Sequence, residues 1–131
     1  MRMAIIWLTT ALTFVAVDAL WLWFAGPALY RPVLGAHMKE TLDVAPAVAF
    51  YLIYTVALVA LIFGFRSPAS AWEAAMMAAV FGLAAYATYD LSNQATLKFW
   101  DWKLAILDIA WGTIATATAA FAGAKIAMVW P

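Results

Sequence analysis

Three aspartates, Asp18, Asp90 and Asp108, sit inside hydrophobic stretches long enough to cross a bilayer. A carboxylate at that depth costs about 2.5–3.5 kcal/mol on insertion scales, so it faces a protein interior, a partner or a polar cavity. Such a group can take up a proton, hold a cation, or serve as an acid or base. The surrounding residues narrow the chemistry. His37 is the only histidine and there are no cysteines, which leaves no histidine or thiolate metal centre, no disulfide and no covalent haem attachment. No glycine-rich phosphate loop, HExxH helix or Ser-His-Asp set is present. Neither a metal nor a cofactor is expected.

The neighbours of the acids follow helical spacing. Asp108 shares a face with Gly112, Thr116 and Ala120 at four-residue intervals, a small-residue ridge that admits close approach of another helix. Ala74, Ala78, Gly82, Tyr86 and Asp90 form a similar line, with Asn93 three residues further on and Tyr89 within reach of it. Tyr51 and Tyr54 add phenols but no charge. Asp18-Ala-Leu-Trp21 echoes Asp108-Ile-Ala-Trp111, and each sets an indole one turn from a carboxylate. An indole there shields its own acid or stacks on a bound cation. The expected ligand-binding set is Asp18, Tyr86, Asp90, Asn93, Asp108 and Trp111.

These residues need a bundle to bring them together, and composition says which kind. The chain has 131 residues, is 69% hydrophobic and 11% charged, and carries no net charge. Soluble domains are nearer half apolar and a quarter charged, so an integral membrane protein is expected. A balanced charge offers no basic surface for nucleic acid. The apolar run after Met1-Arg2 exceeds a signal-peptide core and reads as a retained first span.

Uncharged runs and punctuation mark four spans, at about 3–25, 44–65, 71–93 and 103–128, each near or above the roughly 20 residues that a bilayer requires. Gly26-Pro27 is read as the end of the first. Asp43 is placed as N-cap of the second, and Ser70-Ala-Trp-Glu73 as a capping box opening the third. The expected fold is all-α, a single transmembrane four-helix bundle, with a short interfacial segment over 26–43 as a lid. Trp7, Trp72 and Trp130 are placed in a belt on the terminal side, and Trp23, Tyr30, Trp100 and Trp102 in the opposite one. Laid antiparallel, the helices put all three acids toward the same leaflet. Arg2, Arg66 and Lys125 on the terminal side face Arg31, Lys39, Lys98 and Lys103 on the other, nearly equal numbers. Arg2 ahead of the first span favours cytoplasmic termini.

The run Tyr89-Asp90-Leu-Ser-Asn93, then Lys98-Phe-Trp-Asp101, then Asp108-Ile-Ala-Trp111-Gly112 resembles an uncharacterised bacterial family of small four-span membrane proteins, a domain of unknown function. The likeness covers essentially the whole chain. It implies no activity. It implies a bacterial cytoplasmic membrane, and treats Asp90, Asn93, Asp108 and Trp111 as a unit.

The function expected from the acids is binding or transport of a proton, a cation or an amphipathic small molecule. In that scheme Asp18 is the coupling acid, Asp90 and Asp108 face the ligand, and Asn93 and Tyr86 orient them. The rival readings are a membrane enzyme acting on lipid or isoprenoid, and a structural or accessory subunit of a membrane complex. Expected partners are membrane lipid and either a second copy or a larger membrane assembly.

Overall fold

The computed structural model describes residues 1–65 and 67–130; Arg66, counted above among the terminal-side cations, lies outside the described residues. The described chain is all helix and turn. Four helices are long and apolar enough to span a membrane. The chain order is α1 (Arg2–Ala25), a wide turn Gly26–Tyr30, α2 (Arg31–Leu34), a tight turn Gly35–His37, α3 (Val44–Phe63), α4 (Ala71–Thr96) and α5 (Trp102–Val129).

The helix ends follow local chemistry in two places and depart from it in two. Ser70 caps α4: its hydroxyl accepts from the Glu73 amide at 3.0 Å, and Glu73 reaches back to the Ala69 amide at 2.5 Å. Asp101 caps α5, accepting from the amides of Lys103 at 2.6 Å and Leu104 at 3.2 Å. Asp43 stands ahead of α3 but its side chain caps nothing. It pairs instead with the Lys39 ammonium at 2.7 Å, one turn back.

Gly26-Pro27 does not end the first helix. Proline removes one N–H and crowds the carbonyl four residues before it, which stops an ordinary helix. Here the turn widens instead: the Arg31 amide bonds to the Gly26 carbonyl, five residues back. Such a π-turn adds a residue without leaving the helical path. The chain therefore runs helical from Arg2 to His37, and the 26–43 segment is only in part a connection. The His37 ring lies flat on Phe99, centroids 4.0 Å apart, and ties this extension to the α4–α5 connection.

Small residues decide the packing. α4 and α5 are the most intimately packed pair, followed by α1 on α5 and α1 on α3. Ala74, Ala78, Ala115, Ala119 and Ala120 are fully buried. A Cβ on Gly82 would fall 2.7 Å from the Thr116 hydroxyl and 2.8 Å from the Gly112 carbonyl, and one on Gly112 would enter the Tyr86 ring. Across the other seam, Gly123 gives room to Thr10. Without a hydrophobic drive between helices in lipid, such close backbone approach is what holds a bundle together.

α3 and α4 meet only sparsely. At the end near the termini they are joined by a cluster in which Leu58, Val59, Ile62 and Phe63 pack with Ala71, Ala74 and Ala78. Toward the other end they part, and the gap between them is filled by aromatic side chains and a cavity. Outward-facing Leu8, Leu12, Ile53, Val56, Val80, Ile106 and Ile114 present the apolar surface that lipid requires.

Candidate functional site

The site lies where α3 and α4 diverge, against the inner faces of α1 and α5. Asp18, Asp90 and Asp108 are all buried, at 6%, 0% and 7% exposure, and all belong to the end away from the termini. No described basic side chain pairs with any of them.

Asp18 accepts from the Tyr51 hydroxyl at 2.6 Å and from the Trp111 indole N–H at 3.3 Å. Asp108 accepts from the Tyr30 hydroxyl, and Tyr30 in turn accepts from the Trp21 indole at 3.0 Å. The two Asp-x-x-Trp units are thus crossed. Trp111 serves the aspartate of α1, and Trp21, through Tyr30, serves the aspartate of α5. Between them the indoles stack on each other, centroids 4.6 Å apart and planes 8° from parallel. Antiparallel helices make this exchange geometrically natural, because a residue three positions along one helix lies beside the start of the same unit on the other.

A third polar chain runs deeper. The Thr116 hydroxyl donates to the Gly112 carbonyl at 2.5 Å, so its contact with the Tyr54 hydroxyl at 2.7 Å has tyrosine as donor. Phe14 stacks on Tyr54 at 4.9 Å and meets Tyr51 edge-on at 6.1 Å. Tyr86 stands edge-on to Tyr54 at 6.3 Å. The phenol oxygens of Tyr30, Tyr51 and Tyr54 are thereby fixed, and their rings are held in one orientation.

These side chains enclose a cavity of about 590 Å³. Its lining includes Tyr30, Tyr51, Tyr54, Tyr86 and Tyr89, which are all five tyrosines of the chain. Asp18 and Asp108 supply its carboxylates; Trp100, Phe50, Leu22, Leu34, Ala47 and Ala85 complete it. Among the described residues no lysine, arginine or histidine lines it. Among the described residues no group of three histidine, cysteine or acidic side chains is placed to hold a metal ion.

Of the residues singled out in the sequence, Asp18, Asp108 and Tyr86 line this cavity, and Trp111 touches it through Asp18. Asp90 and Asn93 do not line it. Asp90 is buried next to Trp100, and Asn93 is half-buried beside Tyr89. Tyr30, Trp21 and Tyr51 carry contacts that sequence reading did not assign. Tyr30 and Trp100, placed in an interfacial belt from the sequence, point inward instead. So does Trp7, whose indole donates to the Thr55 hydroxyl at 3.1 Å. The available signal was modest: Tyr51 and Tyr54 are three apart on one face.

No curated protein and no solved structure matches this chain. A family model does: DUF2177, described as a predicted membrane protein, matches residues 3–125. With its four apolar helices and lipid-suited surface, the chain is a multi-pass membrane protein and belongs to the DUF2177 family.

Proposed function

We propose that this protein binds, and in the membrane carries, an amphipathic small-molecule cation at the tyrosine-lined cavity. One observation carries the reading: all five tyrosines surround a space that holds two carboxylates and, among the described residues, no basic side chain. Aromatic faces attract a cation through their quadrupoles, more strongly where water is excluded. Tyr51, Trp111 and Tyr30 are neutral donors, so they solvate Asp18 and Asp108 without supplying a balancing positive charge. A cationic head between the carboxylates would supply it. A volume of about 590 Å³ also falls within the range of roughly 300–1,000 Å³ usual for small-molecule sites. In this reading Asp18 and Asp108 hold the head group, Tyr86 and the other rings enclose the body, and Trp111 orients Asp18. Asn93 acts through Tyr89.

Tetraphenylphosphonium and tetraphenylborate have nearly the same size and shape and opposite charge. The protein in lipid nanodiscs, followed by its tryptophan fluorescence, is expected to bind the phosphonium saturably and to ignore the borate. The double variant Asp18→Asn/Asp108→Asn is expected to lose the preference. Equal binding of both ions, or phosphonium binding unchanged in a folded double variant, removes the proposal.

A further inference from the structure

Asp90 is the intramembrane carboxylate that the cavity network leaves out. It lies six residues before the end of α4 and is fully enclosed. Neither of its carboxylate oxygens accepts a hydrogen bond. One turn further along the same helix, the Gln94 side-chain oxygen is also buried and without a partner. The Trp100 indole N–H faces Asp90 but closes no well-formed hydrogen bond, and is buried without another acceptor. Four orphaned polar atoms thus fall at the end of α4 and in the connection that follows it, three acceptors and one donor.

Leaving such groups unmet in a low-dielectric interior is costly, and leaving an ionised carboxylate there without a counter-charge is costlier still. The groups that act on Asp90 offer no relief. From α5 comes the negative Asp108, from its own helix the Tyr89 phenol, and from the α4–α5 connection only the neutral Trp100. No described basic side chain pairs with it.

One added proton settles the whole count. An O–H on one Asp90 oxygen can donate to Gln94, which lies four residues along the helix where side chains meet. The other oxygen then remains to accept from Trp100. We infer that Asp90, Gln94 and Trp100 form a proton-binding site, in which Asp90 is a neutral carboxylic acid in the resting protein. Trp100 is also part of the cavity wall, so the proton site shares a residue with the tyrosine-lined space. This site stands apart from whatever occupies the cavity.

Infrared spectroscopy of the protein in lipid at neutral pH tests it. A carboxylic-acid carbonyl band that moves on transfer to heavy water is expected in the wild type. It is expected to vanish in Asp90→Asn and to persist in Asp18→Asn and Asp108→Asn. Asp90→Asn should melt within a few degrees of wild type, because a carboxamide can likewise donate to Gln94 and accept from Trp100. Absence of the band in the wild type overturns the inference, as does a band that survives in Asp90→Asn. Should Asp90→Asn fail to fold, Gln94→Met decides: losing the acceptor should move the carbonyl band to higher frequency, and an unmoved band overturns the site.

Discussion

Trp21 and Trp111 lie face to face between α1 and α5, with centroids 4.6 Å apart. Their N–H groups serve different acids: Trp21 donates to the Tyr30 hydroxyl, which donates to Asp108, and Trp111 donates to Asp18. Slipping α1 along α5 by one turn would break the stack and the Trp111–Asp18 bond together. The pair therefore fixes the register of two helices that carry the cavity's acids.

A double-mutant cycle measures that clasp. Trp111→Phe keeps an aromatic ring in the stack and removes the donor to Asp18, while Asp18→Ala removes the acceptor. The coupling between them is expected at about 0.5–1.5 kcal/mol, the range found for hydrogen bonds between membrane helices. Unfolding by denaturant in mixed micelles gives the number. Strict additivity would mean that the indole does not hold the carboxylate.

The α4–α5 seam should tolerate no added methyl. Gly112→Ala drives a Cβ into the Tyr86 ring, and Gly82→Ala meets Thr116 and the Gly112 carbonyl. Overpacking of this kind costs about 1–3 kcal/mol. Gly35→Ala, where a Cβ meets nothing within 4 Å, is the matched control and should melt like wild type. Thermal unfolding in detergent ranks the three.

Helix caps should separate along the same lines as their hydrogen bonds. Ser70→Ala and Asp101→Ala each remove a cap that accepts from the following turn. Each is expected to cost about 1 kcal/mol. Asp43→Ala removes no cap, and its exposed pair with Lys39 is worth little, about 0–1 kcal/mol. Equal losses for Asp43 and Asp101 would contradict this.

Filling the cavity tests its shape apart from its charge. Ala85 lines it and is only half-buried, so Ala85→Trp places an indole in the space without crossing a tight seam. Binding of tetraphenylphosphonium should weaken at least tenfold, about 1.4 kcal/mol, with the melting temperature close to wild type. Undiminished binding would place the ligand elsewhere.

The helices and their small-residue faces were readable from the sequence because hydropathy and four-residue spacing are local properties. Ser70 and Glu73 are likewise local: Ser70 caps as expected, while Glu73 reaches one residue further back, to the Ala69 amide. The crossing of the two Asp-x-x-Trp units was not readable. Spacing pairs each indole with the acid on its own helix, whereas the side-chain directions hand it to the neighbouring one. Tyr30 was misplaced for a related reason: a proline that widens a turn rather than ending it keeps the chain helical, and swings the tyrosine inward to Asp108. Asp90 was grouped with the other acids by depth, by its helical spacing from Tyr86 and by the family motif, and none of these reveals that it neighbours Trp100 while only Asp18 and Asp108 line the cavity.

The divergence of α3 from α4 bears on how concentration should be counted. A gap between two helices whose outer faces suit lipid is flanked by acyl chains. An amphipathic molecule would dissolve in the bilayer first and reach the tyrosines from there. Its occupancy would then follow moles of ligand per mole of lipid, and the same aqueous dose would fill the site less in a larger volume of membrane.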